Sequence, residues 1–187
     1  MKKVIFTLLF IQFLFAASNA KDEAIATATD ARHKLHDAIA SKVNEKVLNS
    51  GLYDAAVFCV NDSYNNTKKL DESLGDNVSI KRVSLGNRNP NSYPQDDEKK
   101  ILEAFALIES SSAYLPDQIV QVTDKGDYKV YFPATMSNKN CKLCHGVEAN
   151  INKEVHSLFK EKYPNDKAYG FSSGEVRGAV VITIKHK

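Results

Sequence analysis

The 187-residue sequence predicts an α+β fold with a long N-terminal helix, on three observations. Apolar residues recur with helical period over residues 22–50 (Ile25, Ala28, Ala31, Leu35, Ile39, Val43, Val47). Ile119–Thr123 and Tyr128–Ala134 flank the turn Asp124-Lys125-Gly126-Asp127, the pattern of an antiparallel hairpin. The β-branched run Val176–Ile184 has the composition of a central or buried strand. No repeat or low-complexity stretch divides the chain, so one domain is expected.

The remaining elements follow in order. Met1-Lys2-Lys3, an apolar run from Val4 to Phe15, and small residues at Ser18 and Ala20 have the form of a secretory signal over residues 1–20. The apolar run falls short of the roughly 20 residues that span a bilayer, so no lasting membrane insertion is expected. Residues 21–187 then form the domain. Gly51 ends the first helix in a left-handed cap. A second helix from Leu52 carries Leu52, Ala56 and Cys59 on one face and is expected to end in the polar run 61–76. Val78–Leu85 is a strand and Gly86–Asn91 a loop. The acids Asp96, Asp97 and Glu98 open a helix to about Ser111, where its positive end favours them. A short helix over 155–163 precedes the loop 164–174.

Composition excludes several classes. With 43% hydrophobic and 26% charged residues the chain is neither disordered nor collagenous. Its formal charge of +2 resides in Lys2 and Lys3, and without them acids and bases balance at 23 each. A balanced surface offers no basic stripe for phosphates, so nucleic acid is not an expected partner. Export implies an oxidising compartment, the bacterial periplasm, where the three cysteines cannot all pair with one another.

Cys141-Lys142-Leu143-Cys144-His145 is the attachment signature of c-type haem. Two thiols three residues apart on a helical turn can each form a thioether to one porphyrin, and the adjacent imidazole then reaches the iron. At this composition the pattern arises by chance about once in a thousand such chains. A zinc site would need two further ligands at similar spacing, and no second Cys-x-x-Cys pair exists. One covalent haem is therefore expected, held by Cys141 and Cys144 and ligated by His145. For the second axial position the sequence offers Cys59, Met136, His33, His36, His156 and His186, each with a plainer structural role available. Cys59, in the apolar run Ala55–Val60, reads equally as a buried, inert thiol. Arg82, Arg88 and Arg177 are candidates to pair with the propionates, or else to hold a loop or decorate the surface.

Five segments occur in the order of a known family: Ala55–Cys59, Ser84–Asn91, Cys141–Gly146, Tyr163–Gly170, and Arg177-Gly178-Ala179. On these the chain resembles the Tll-type c-haem domains, first catalogued as a domain of unknown function. The resemblance implies a PAS-like antiparallel sheet flanked by helices, one covalent haem, and a cysteine and histidine axial pair, which fall here on Cys59 and His145. It also implies a redox or small-gas sensor. No transmitter module follows the last strand, so a separate redox or signalling protein would have to read its state. A plain periplasmic electron carrier is the alternative expectation. A haem enzyme is not expected, because no distal acid or base is marked beside the iron. The apolar face of the first helix could pack on the domain or pair with another copy.

Overall fold

The structure, a computed structural model, describes residues 2–186, with side chains from Asn19 onward; most of the expected export segment, residues 1–18, lies outside the described side chains. Helix α1 (Lys2–His36) passes through a π-helical turn, Asp37–Ser41, into α2 (Lys42–Asn49). The chain reverses at Gly51, whose φ of +95° is open to glycine and costly to other residues. Helices α3 (Leu52–Asn61) and α4 (Ser63–Ser73) follow, then β1 (Val78–Val83), α5 (Asp96–Ser110), β2 (Ile119–Val122) and β3 (Tyr128–Thr135). A short α6 (Lys142–His145), α7 (Lys153–Lys162) and β4 (Val176–Ile184) complete the fold. Among the described residues no helix is long and apolar enough to cross a membrane.

The four strands form one antiparallel sheet in the order β1-β4-β3-β2, so the β-branched C-terminal run lies inside the sheet. Side-chain alternation divides the core. Ile80, Val130, Phe132 and Ile182 meet Ala28, Ala31, Leu35 and Ile39 of the long N-terminal helical segment on one face. Val83, Tyr131, Ala179 and Val181 meet Leu102 and Phe105 of α5 on the other. The antiparallel sheet flanked by helices, with a long N-terminal helix, agrees with the expected fold class.

The polar run 61–76, in which the helix from Leu52 is expected to end, holds a further helix, α4. Its inward face begins with Ser63 and Thr67, whose hydroxyls satisfy themselves on the carbonyls of Cys59 (2.8 Å) and Ser63 (2.9 Å), before Leu70 and Leu74 reach the core. Strand β3 continues through Pro133 because β2 stops opposite Tyr131; beyond that point β3 has lost one neighbour and tolerates a residue without an N–H.

A third apolar cluster lies apart from the sheet core. Ala56 and Val60 of α3 pack on Ile151, Val155 and Phe159 at α7, with Cys144 and Tyr169 against them. This packing brings the haem-type motif to the helix that carries Cys59.

Candidate functional site

The Cys141–His145 turn is held from outside by backbone and side-chain bonds. Arg88 Nη2 donates to the Cys144 carbonyl (2.8 Å), Phe171 N to the His145 carbonyl (3.0 Å), and Gly170 N to the Gly146 carbonyl (2.8 Å). Arg88 Nε donates to Asp166 Oδ2 (2.6 Å), and both side chains are almost wholly buried. The guanidinium also stacks 3.5 Å above the Phe159 ring. Asp166 Oδ1 accepts from Ala168 N (2.8 Å), and the Ala168 carbonyl lies 2.9 Å from His145 Nδ1. A carbonyl can only accept, so in the neutral ring Nδ1 carries the proton and Nε2 keeps its lone pair. Burial, with Arg177 and Arg88 nearby, holds the imidazole well below its ordinary range and therefore neutral. This is the second-sphere arrangement that prepares a histidine as a metal ligand.

Arg177 owes its position to the sheet. The β3–β4 register runs Pro133 with Ala179, Ala134 with Gly178, then Thr135 with Val176, which leaves Arg177 as the extra residue of a β-bulge. Ser84 Oγ donates to its carbonyl (2.5 Å). At Gly178 a Cβ would collide with the Val83 carbonyl and approach Ser84, so only glycine lets β4 lie this close to the end of β1.

Cys59, Arg82, Cys144, His145 and Arg177 share one environment. Desolvation is the leading influence on each, yet all remain half-buried rather than closed off, as expected for side chains lining an internal crevice. Burial pushes the Cys59 thiol up, against the pull of Arg82, Arg88 and Arg177. Cys144 is pushed up to about 11 by burial and then by Cys59. Arg177 comes down to about 10 through burial and the like charges of Arg88 and Arg82. The three cysteines are free and half-buried.

Of the three arginines the sequence singles out, Arg88 is committed to Asp166 and the Cys144 carbonyl, the loop-holding role. Arg82 Nη2 donates to the Ser63 carbonyl (3.3 Å), which belongs to the residue whose hydroxyl caps the Cys59 carbonyl. Arg82 Nε and Arg177 Nε are buried with no partner among the described residues. Two orphaned guanidinium donors beside a neutral imidazole and three thiols are a donor set that a carboxylate-bearing macrocycle fits. Among the described residues no three His, Cys, Asp or Glu side chains form a metal cage, and a porphyrin, which supplies four nitrogens itself, needs none.

The other candidate ligands lie elsewhere. Met136 is fully buried in the core at the end of β3, its backbone bonded to Glu175 and Gly174. His156 pairs with Glu148 (2.8 Å) and tilts against Tyr169. His33 and His36 are exposed on α1, and exposed His186 lies against Gly126. Sequence reasoning assigned no role to Asp166 or to the Ala168 carbonyl; both fall within the Tyr163–Gly170 segment of the resemblance, the signal that could have found them.

No curated protein matches the chain. A crystal structure of the cyanobacterial heme-protein Tll0287 superposes with a TM-score of 0.63 at 19% identity, over 88% of this chain and 96% of that one. At that identity the likeness establishes the fold. The Tll0287-like family model matches residues 14–185, nearly the whole length, and the chain therefore belongs to the Tll0287-like family.

Proposed function

We propose that this protein is an exported, periplasmic c-type haem protein that responds to redox state or to a small diatomic gas. Cys141 and Cys144 would hold the haem by thioethers, His145 and Cys59 would ligate its iron, and Arg82 and Arg177 would receive its propionates. The observation that carries this reading is that Cys144 of the motif packs against the cluster holding Ala56 and Val60 of α3, the residues three before and one after Cys59. The haem-binding character of the structurally similar Tll0287 supports it.

Haem held here would supply a redox-active iron able to take up carbon monoxide or nitric oxide. The chain supplies the rest. The Ala168 carbonyl holds the Nδ1 proton of His145 and keeps Nε2 aimed as a donor. Cys59, as thiolate, would hold the iron from α3 and would favour its oxidised state relative to a methionine ligand, and its Sγ is the atom at which this chain would take up a proton to release that hold. Helix α3 is then the part that carries the change to a separate redox or signalling protein. In this reading the protein is not an enzyme.

The test is the visible and electron paramagnetic resonance spectrum of the ferric protein beside its Cys59→Ser variant, both matured identically. Covalent haem in both, with loss of the low-spin thiolate signature in the variant alone, is the expected result. Carbon monoxide should then bind the reduced wild type. Coincident spectra, or reduced protein that takes up no carbon monoxide, would transfer the assignment to a plain electron carrier.

A further inference from the structure

A cleft of about 660 Å³ opens between the end of α3 with the start of α4, the loop 87–93, and the loop 162–167. Its size is that of a small-molecule site. Neither Cys59 nor any residue of the Cys141–His145 motif lines it, although Val60, Arg88 and Tyr163 border both this cleft and the motif's surroundings. Its chemistry is unusual in two respects.

The first is an excess of uncommitted amides and phenols. Asn87 and Asn89 hold the loop together through their own hydrogen bonds. The side chains of Asn61, Asn91, Asn165, Tyr64 and Tyr93 also line the cleft and have no hydrogen-bond partner among the described residues. All five are exposed; an amide presents a carbonyl acceptor beside an NH2 donor, so three free amides suit a ligand that both donates and accepts hydrogen bonds, as hydroxyl groups do. A simple anion would leave the amide oxygens unused. The phenol rings offer flat faces for the C–H side of a sugar ring.

The second is charge. Lys162 and Lys167 line the cleft, both exposed and neither in an ion pair among the described residues, while no Asp or Glu lines it. Arg88, which also borders it, already has Asp166. Two free ammonium groups with no opposing carboxylate select an anion.

We propose that this cleft binds a small hydroxylated carboxylate of the sugar-acid class, with Lys162 and Lys167 on the carboxylate and the free amides on the hydroxyls. None of the lysines and amides invoked here is assigned to the haem, so failure of this proposal and failure of the haem assignment are separate results.

The experiment is a titration of full-length, haem-loaded protein, followed by amide proton–nitrogen correlation spectra, with D-galacturonate, D-galactose and acetate as probes. Galacturonate should give a saturable response confined to residues 60–65, 87–93 and 162–167. Galactose, which lacks the carboxylate, and acetate, which lacks the hydroxyls, should each bind at least tenfold more weakly. The K162A/K167A variant changes only exposed side chains and should lose at least tenfold in galacturonate affinity while its visible spectrum stays unchanged. Absence of a saturable response at millimolar galacturonate, equal binding of galactose or acetate, or full affinity in the double variant would each overturn the proposal.

Discussion

Three arginines gather near one crevice, and their partners separate their roles. Arg88 neutralises Asp166 where neither side chain has appreciable solvent, and it also holds the Cys144 carbonyl. Removing one member of a buried pair strands the other charge, so Arg88→Met should cost about 3–5 kcal/mol in urea unfolding, and the double replacement Arg88→Met with Asp166→Leu should recover most of it. Arg177 has no such partner and an orphaned Nε. If it faces a propionate, Arg177→Met leaves that negative charge unopposed, stabilises the ferric iron, and lowers the midpoint potential by some tens of millivolts, the scale of an interaction of about 1 kcal/mol at an effective dielectric near 20. Redox titration of the two variants checks the division: a potential that does not move in Arg177→Met would remove Arg177 from the propionates. At this scale Cys141, Cys144 and His145 stood out in the sequence because haem-attachment chemistry would need those side chains at fixed spacing, and the structure places them on one turn. The Ala168 carbonyl did not, because a backbone acceptor carries no side-chain signal. Arg88 was legible only as a charged residue, since nothing local tells a guanidinium 78 residues away which carboxylate it will meet.

Elements were legible where apolar period and turn chemistry agreed. The hairpin, α5 and the inner position of β4 follow from alternation, acidic first-turn residues and β-branching. Helix α4 did not show because its inward face starts with hydroxyls, which read as polar until their return bonds to the preceding turn are seen. Contacts between elements also carry a pH dependence. Asp97 in the first turn of α5 accepts from Lys129 Nζ of β3 at 2.6 Å, and that hydrogen bond is the main reason its carboxyl titrates below the ordinary range. A depressed carboxylate contributes stability that is full above its unfolded value of about 3.9 and is lost as pH falls through the lower folded value. Asp97 is about one-third exposed, with 38% of its side chain open, so solvent screening limits the contribution to about 0.2–1 kcal/mol. Urea unfolding of Asp97→Asn should therefore show a deficit of that size at pH 6–7, shrinking toward zero as pH falls through the lowered folded value. A deficit independent of pH would assign the loss to geometry rather than charge.

The whole molecule assembles its crevice from segments that no local signal connects: the α3 run with Cys59, the loop after β1 with Arg88, the motif turn, the 163–170 loop with Asp166, and the Arg177 bulge. Each carries a local peculiarity in the sequence, but their meeting depends on α3 packing against α7 through a cluster separate from the sheet core, which hydrophobic period alone does not specify. The same arrangement makes stability depend on the cofactor. Arg82 Nε and Arg177 Nε lie buried without partners among the described residues, beside one another's like charge, and each unsatisfied donor costs about 1–3 kcal/mol. A group that brings two carboxylates and binds only the folded state relieves both costs and adds its own linkage stabilisation. For a chain of this length each kcal/mol moves the melting midpoint by about 2–4 °C. The Cys141→Ser, Cys144→Ser double variant, confirmed free of haem by its absorption spectrum, should therefore melt about 5–20 °C below the haem-loaded wild type by circular dichroism. Midpoints within about 2 °C would mean that the cofactor leaves the two guanidinium groups as they are, and that Arg82 and Arg177 serve the sheet and α4 instead.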